Sequence, residues 1–170
     1  MKISEKSILL ILLYLNNKEP IKGKTKFQKI VFLYEEEQHK QLQLHKKLSL
    51  DNGNLFTFRA HYYGPFSDKL VKSIETLISL NFVEKQIEEN KFIFDDKLGE
   101  QITYQLSPIG IDYTEQHLLN YLDQYVLEKL TSFKNIYNHM QTRELIRYVY
   151  VTYEYMTENS RIKDEILNEA

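Results

Sequence analysis

The 170-residue chain has no cysteine, no tryptophan and only five glycines. Without cysteine there can be no disulfide, no thiolate metal site and no thiol nucleophile, a profile suited to a reducing compartment. The chain is therefore expected in the cytoplasm. Scarce glycine argues against a phosphate-cradling loop, and no GxSxG, P-loop or GxGxxG spacing occurs. Long apolar runs are missing too. The strongly apolar N-terminal stretch, Ile8 to Leu15, is too short to cross a bilayer, and Asn16-Asn17-Lys18 follows it instead of a small-residue cleavage site. It reads as a buried helix, and no membrane partner is expected.

Histidine-based chemistry is equally thin. His39, His45, His61, His117 and His139 are scattered, with no HExxH or HxH pair. Glu35 and His39 share a helical face, but two ligands do not make a metal site. No catalytic residue, no metal and no cofactor is assigned, and the chain reads as a non-enzyme.

What remains is a core-forming composition, 42% hydrophobic, with thirteen Tyr and nine Phe. The net charge of −2 is uneven. Residues 1–50 hold ten Lys against five Glu, and residues 51–170 hold twelve Lys or Arg against nineteen acids. A basic first third permits a local nucleic-acid footprint, although a solvated charge face explains it as well.

Periodicity predicts a helix over 4–16 capped by Ser4, a turn from Asn16 to Gly23, and a second helix over 24–39. In the second helix Phe27, Ile30, Val31 and Tyr34 form one apolar face. Residues 40–54 are polar, with a turn at Asp51-Asn52-Gly53-Asn54. A strand is predicted over 55–62, stopped by Gly64 and Pro65, with Pro65 opening a third helix over 66–80. Leu70, Val71, Ile74, Leu77 and Ile78 make that helix's buried stripe. Extended stretches over 83–88, 91–95 and 102–106 follow, and Ser107-Pro108 caps the next helix. From 110 to 168 the pattern is helical with one break near Gln141, restarting on Thr142 as the cap. There Leu145, Ile146, Val149 and Tyr153 form the apolar stripe.

The order predicts an α+β, mostly helical chain: a winged helix-turn-helix over 1–110 with a C-terminal helical extension over 111–170. The third helix would be the recognition helix and the hairpin the wing. Lys26-Phe27-Gln28-Lys29-Ile30-Val31, followed by His61-Tyr62-Tyr63-Gly64-Pro65-Phe66-Ser67, resembles the paired signature of the YwgA-like winged-helix proteins. Glu144-Leu145-Ile146-Arg147-Tyr148-Val149-Tyr150, ending in Asn159-Ser160-Arg161-Ile162-Lys163, is similar to that family's tail. The first two blocks also resemble the SocA-like Panacea antitoxin domain, a related interaction module. Residues 40–54 and 85–101 match neither, and Glu154 stands where the family's tail often has proline. The resemblance implies the fold far more firmly than a function.

Lys22, Lys24, Lys26 and Lys29 crowd a helix start, where the helix dipole favours anions. Local stability would not choose them, so they are candidate contacts to phosphate or to an acidic protein surface. Arg59, Lys69 and Lys72, with Lys46-Lys47, would extend the patch. Ser67 and Ser73 lie on the polar faces of the third helix, and Tyr63 marks an exposed ligand surface at its start. Gly64 and Pro65 are first of all a structural corner. Arg143 and Arg147 are expected to pair with Glu144 or Glu154.

These residues favour a nucleic-acid-binding regulator, with DNA ahead of RNA. The alternative is a protein-interaction module, an antitoxin, adaptor or inhibitor of the kind found in phage–host conflict, that ignores DNA. The weak net charge of the third helix points to this second class. Tyr121, Tyr125, Phe133, Tyr137, Tyr148 and Tyr153 are candidates for a homodimer interface or for packing within the chain.

Overall fold

The apolar run becomes the centre of the molecule. In helix α1 (Glu5–Lys18) every residue from Ile8 to Leu13 is at most 1% exposed. A helix apolar on all sides must be covered on all sides, and α1 is packed by helices and sheet alike. Ser4 caps it as predicted, accepting from the Lys6 N–H while Ser7 Oγ accepts the Ser4 N–H at 3.2 Å. The helix ends where Leu15 turns extended and Asn16, Asn17 and Lys18 adopt positive φ, a conformation asparagine tolerates. The structure, a computed structural model, describes residues 2–89 and 100–168.

After a short strand, β1 (Ile21–Lys22), helix α2 runs from Lys24 to Tyr34 and buries Phe27, Ile30, Val31 and Tyr34 as their spacing demands. It does not continue as an α-helix to residue 39. Glu35–His39 widens into a π-helical turn, and a single helical turn, α3 (Leu44–Lys47), follows. The predicted strand over 55–62 is shorter than expected. Leu55 and Phe56 are buried, but Thr57 takes φ 55° and breaks the extension, leaving β2 as Arg59–His61.

Gly64 and Pro65 do not stop this strand; they start its partner. Strand β3 (Gly64–Phe66) pairs antiparallel with β2 in the register Arg59↔Phe66, Ala60↔Pro65 and His61↔Gly64. Consequently the third long helix, α4 (Asp68–Ser79), opens on Ser67 and not on Pro65, with Ser67 Oγ accepting the Leu70 N–H at 2.9 Å. Its buried stripe is Leu70, Ser73, Ile74 and Leu77. Val71 is exposed and Ile78 only partly buried, because the stripe is narrower than the apolar spacing suggested.

Strands β4 (Val83–Glu89) and β5 (Glu100–Leu106) form an antiparallel ladder from Val83↔Leu106 to Glu89↔Glu100. On the other side of β5, Ile21 of β1 pairs with Tyr104, giving the sheet order β1-β5-β4. The predicted extension over 91–95 lies outside the described residues. Ser107 caps α5 (Pro108–His117), with Pro108 in its first turn.

The remainder is more divided than one break implies. A 3-10 turn at Leu119–Tyr121 precedes α6 (Gln124–His139), and another at Glu154–Thr157 separates α7 (Thr142–Thr152) from α8 (Lys163–Leu167). The cap of α7 is Gln141, one residue before the expected Thr142, with Glu144 accepting its N–H. Leu145, Ile146 and Val149 are buried as expected, joined by Tyr150, while Tyr153 is only partly covered. Arg143 pairs with Glu165 at 2.8 Å across to α8. Helices α6 and α7 share one hydrophobic core with α1 and α2. No helix of the described residues is long and apolar enough to cross a membrane.

Candidate binding surface

The four lysines at the start of the second helix do not form one surface. Lys29 is 2% exposed, and its Nζ donates to the Pro65 carbonyl at 3.0 Å. Burial pushes its amine down to about 7. Half-buried Lys26 donates to the carbonyls of Asn138 (3.1 Å) and Met140 (2.7 Å), closing the end of α6. Lys22 stands 3.6 Å from Glu88 on β4, and only Lys24 of the helix proper stays exposed. The sequence groups these four cations at a helix start as candidate contacts. Their long stems instead carry two of them inward to orphan carbonyls, which removes Lys26 and Lys29 from any phosphate clamp.

Two of the predicted α4 contacts also fail as surface residues. Ser67 is 0% exposed and Ser73 3%. Ser67 Oγ is taken up by the α4 cap and donates to the Phe56 carbonyl. Lys69 and Lys72 are exposed as expected, but Lys69 lies 3.9 Å from Glu5. Asp68 and Glu75 on the same helix engage Arg59 and Lys85. The helix therefore presents mixed charge. Lys47 pairs with Asp123 at 2.8 Å, so it does not extend a patch either.

The structure does bring together a group that spacing alone did not reveal. On the β2–β3 hairpin the Arg59 guanidinium lies over the Phe66 ring, 5.5 Å from its centroid. Phe66 stacks on His61 at 4.9 Å, and His61 meets Tyr62 at 4.2 Å. Arg161, nearly a hundred residues away, covers Tyr62 at 3.5 Å. Its segment is tied to the hairpin, the Arg161 N–H donating to the Tyr62 carbonyl at 2.8 Å and Asn159 Nδ2 to the Ala60 carbonyl at 3.3 Å. Burial, followed by the Arg59 charge, holds the His61 imidazole below its usual range, so it is neutral at pH 7.

Beneath this surface the corner is built tightly. Gly64 has φ +89°, and a Cβ there would sit 2.7 Å from the Tyr150 ring. Only glycine meets both conditions. Predicted Tyr63 lies at the hairpin turn, half-buried. His61, Tyr62, Phe66 and Arg161 were absent from the residues singled out above as contacts. Their signal was the aromatic density of the His61–Phe66 block, but nothing in the sequence tied Arg161 to it.

A second polar centre is internal. Glu37, on the π-helical turn, accepts from the phenols of Tyr137 (2.5 Å), Tyr148 (2.8 Å) and Tyr153 (3.0 Å). Burial and then this carboxylate push the Tyr137 and Tyr153 phenols up, so they stay donors. Of the six rings proposed for a dimer interface, Phe133 and Tyr137 are buried and Tyr148 and Tyr153 partly so, whereas Tyr121 and Tyr125 are exposed. His39 is hydrogen-bonded to Tyr34 and to the Asp51 carbonyl. Among the described residues no group of three or more His, Asp or Glu could hold a metal ion. No family model, curated protein or solved structure matches the chain.

Proposed function

We propose that this chain is a non-catalytic binding module on a winged-helix scaffold, and that its partner is a protein. The scaffold reading is supported by α4 running into the β4–β5 ribbon while β1 lies along the outer side of β5. The observation that carries the choice of partner is the inward turn of Lys26 and Lys29. A duplex binder needs several unpaired cations aligned to neutralise phosphates. Here the candidate recognition helix has its Lys69 and Lys72 offset by Asp68 and Glu75. The surface that stands ready instead is rich in Arg and aromatic rings, the residue types that dominate protein–protein hot spots.

Such a module acts as an antitoxin, adaptor or inhibitor. The test is purification at low salt, followed by native mass measurement and titration of duplex DNA over a range of salt. A stoichiometric protein partner with no DNA affinity supports the reading. Duplex binding that falls steeply with salt would overturn it in favour of a transcriptional regulator.

A further inference from the structure

We infer that the series Arg59, Phe66, His61, Tyr62, Arg161 is a docking site for an acidic segment of that partner, an inference that rests on the protein-partner reading above. The two guanidiniums stand at the ends of the series with neutral rings between them. A guanidinium laid over a ring keeps its N–H donors at its edge, in the geometry that carboxylates fit. One such contact is already present. Asp68 lies 3.3 Å from Arg59 Nε while Phe66 lies against the same group. At the other end, no carboxylate of the described residues pairs with the exposed Arg161 guanidinium.

The rings themselves argue against a nucleobase as the occupant. Single strands bind by stacking bases on open aromatic faces. Each of Phe66, His61 and Tyr62 already has two members of the series against it, so they are committed to one another. The guanidinium edges are what the series offers. Hydrogen bonds from Arg161 and Asn159 to β2 hold the two halves in place before any ligand arrives, which lowers the ordering cost of binding.

The probe is a fluorescein-labelled oligo-glutamate peptide, with oligo-glutamine and oligo-deoxythymidylate as comparisons, followed by anisotropy at low salt on the full chain. Arg59→Gln and Arg161→Gln are each expected to weaken oligo-glutamate binding about tenfold, the value of one charge-assisted hydrogen bond. Lys129→Gln, which removes an exposed cation outside the series and outside the lysine cluster of α2, leaves it unchanged, and circular dichroism verifies that all three variants fold. Equal losses for Lys129→Gln, or tighter binding of the deoxythymidylate, overturn the assignment. If the protein holds a stoichiometric protein partner yet ignores oligo-glutamate, this inference fails while the protein-partner reading stands. If it holds none and binds duplex DNA, the earlier reading fails.

Discussion

Gln28 forms both hydrogen bonds of a strand partner with a single residue: its Oε1 accepts the Ser67 N–H at 2.9 Å, and its Nε2 donates to the Ser67 carbonyl at 3.1 Å. This pins the end of the hairpin to α2 just where α4 begins. Gln28→Ala leaves the buried Ser67 N–H unpaired, while the Ser67 carbonyl keeps the Val71 N–H at 3.3 Å, and is expected to cost about 1–3 kcal/mol. Urea denaturation measures it. A loss below the error of the extrapolation would show that the corner is held by packing alone.

Gly64 and Gly110 should respond sharply to an added side chain and Gly53 should not. Gly64→Ala forces a side chain at positive φ against Tyr150 and is expected to lose about 2–4 kcal/mol. At Gly110 a Cβ would lie 2.0 Å from the Phe82 carbonyl oxygen, backbone that cannot step aside, so the loss is about 4 kcal/mol or more. Gly53 has nothing within 4 Å of the added carbon, and its alanine variant stays within about 0.5 kcal/mol of wild type. Thermal melts of the three variants rank them.

Stability should pass through a dip near neutral pH. Burial pushes Glu35 up to about 7 from 4.5, so between these values the folded chain holds the extra proton and stability falls as pH rises. Burial pushes Lys29 and Lys134 down to about 7 from 10.5, so above about 7 the unfolded chain holds more protons and stability climbs with pH. Glu35→Gln keeps an acceptor for the Phe56 N–H and is expected to flatten the acid-side fall. Lys29→Met flattens part of the alkaline rise. Denaturation at about pH 5, 7 and 9 reads both slopes.

Glu37 is expected to hold the C-terminal helices in place. Glu37→Ala removes the acceptor of three phenols and should cost about 2–4 kcal/mol. Glu37→Gln, which keeps a carbonyl oxygen, should lose less. Amide hydrogen exchange locates the effect, with faster exchange in α6 and α7 than in α4. Uniform acceleration across all helices would contradict a local role.

Much of the fold was legible in local residue choice. Ser4 and Ser107 announce their helices because a capping hydroxyl acts on N–H groups two or three residues away. Phe27, Ile30, Val31 and Tyr34 mark the buried face of α2 because the helical repeat places them together. The hairpin was misread at Pro65, which serves β3 instead of the first turn of α4, since Pro suits either setting. The binding surface was less legible still. Lys26 and Lys29 read as surface cations, and only the positions of Pro65, Asn138 and Met140 show what they reach.

Amino-acid order by itself determined the main helices, the extended segments that follow α4, and that α1 is buried, because those outcomes follow from short-range periodicity. Helix α3, the π-helical end of α2 and the extra C-terminal breaks did not show in it. Tertiary structure alone decided which cations face solvent and which rings meet. Lys134 shows why: its Nζ contacts the carbonyls of Leu13, Leu15 and Glu19 from more than a hundred residues away. A lysine stem is long enough to reach either water or a carbonyl, and only the folded backbone determines which is near.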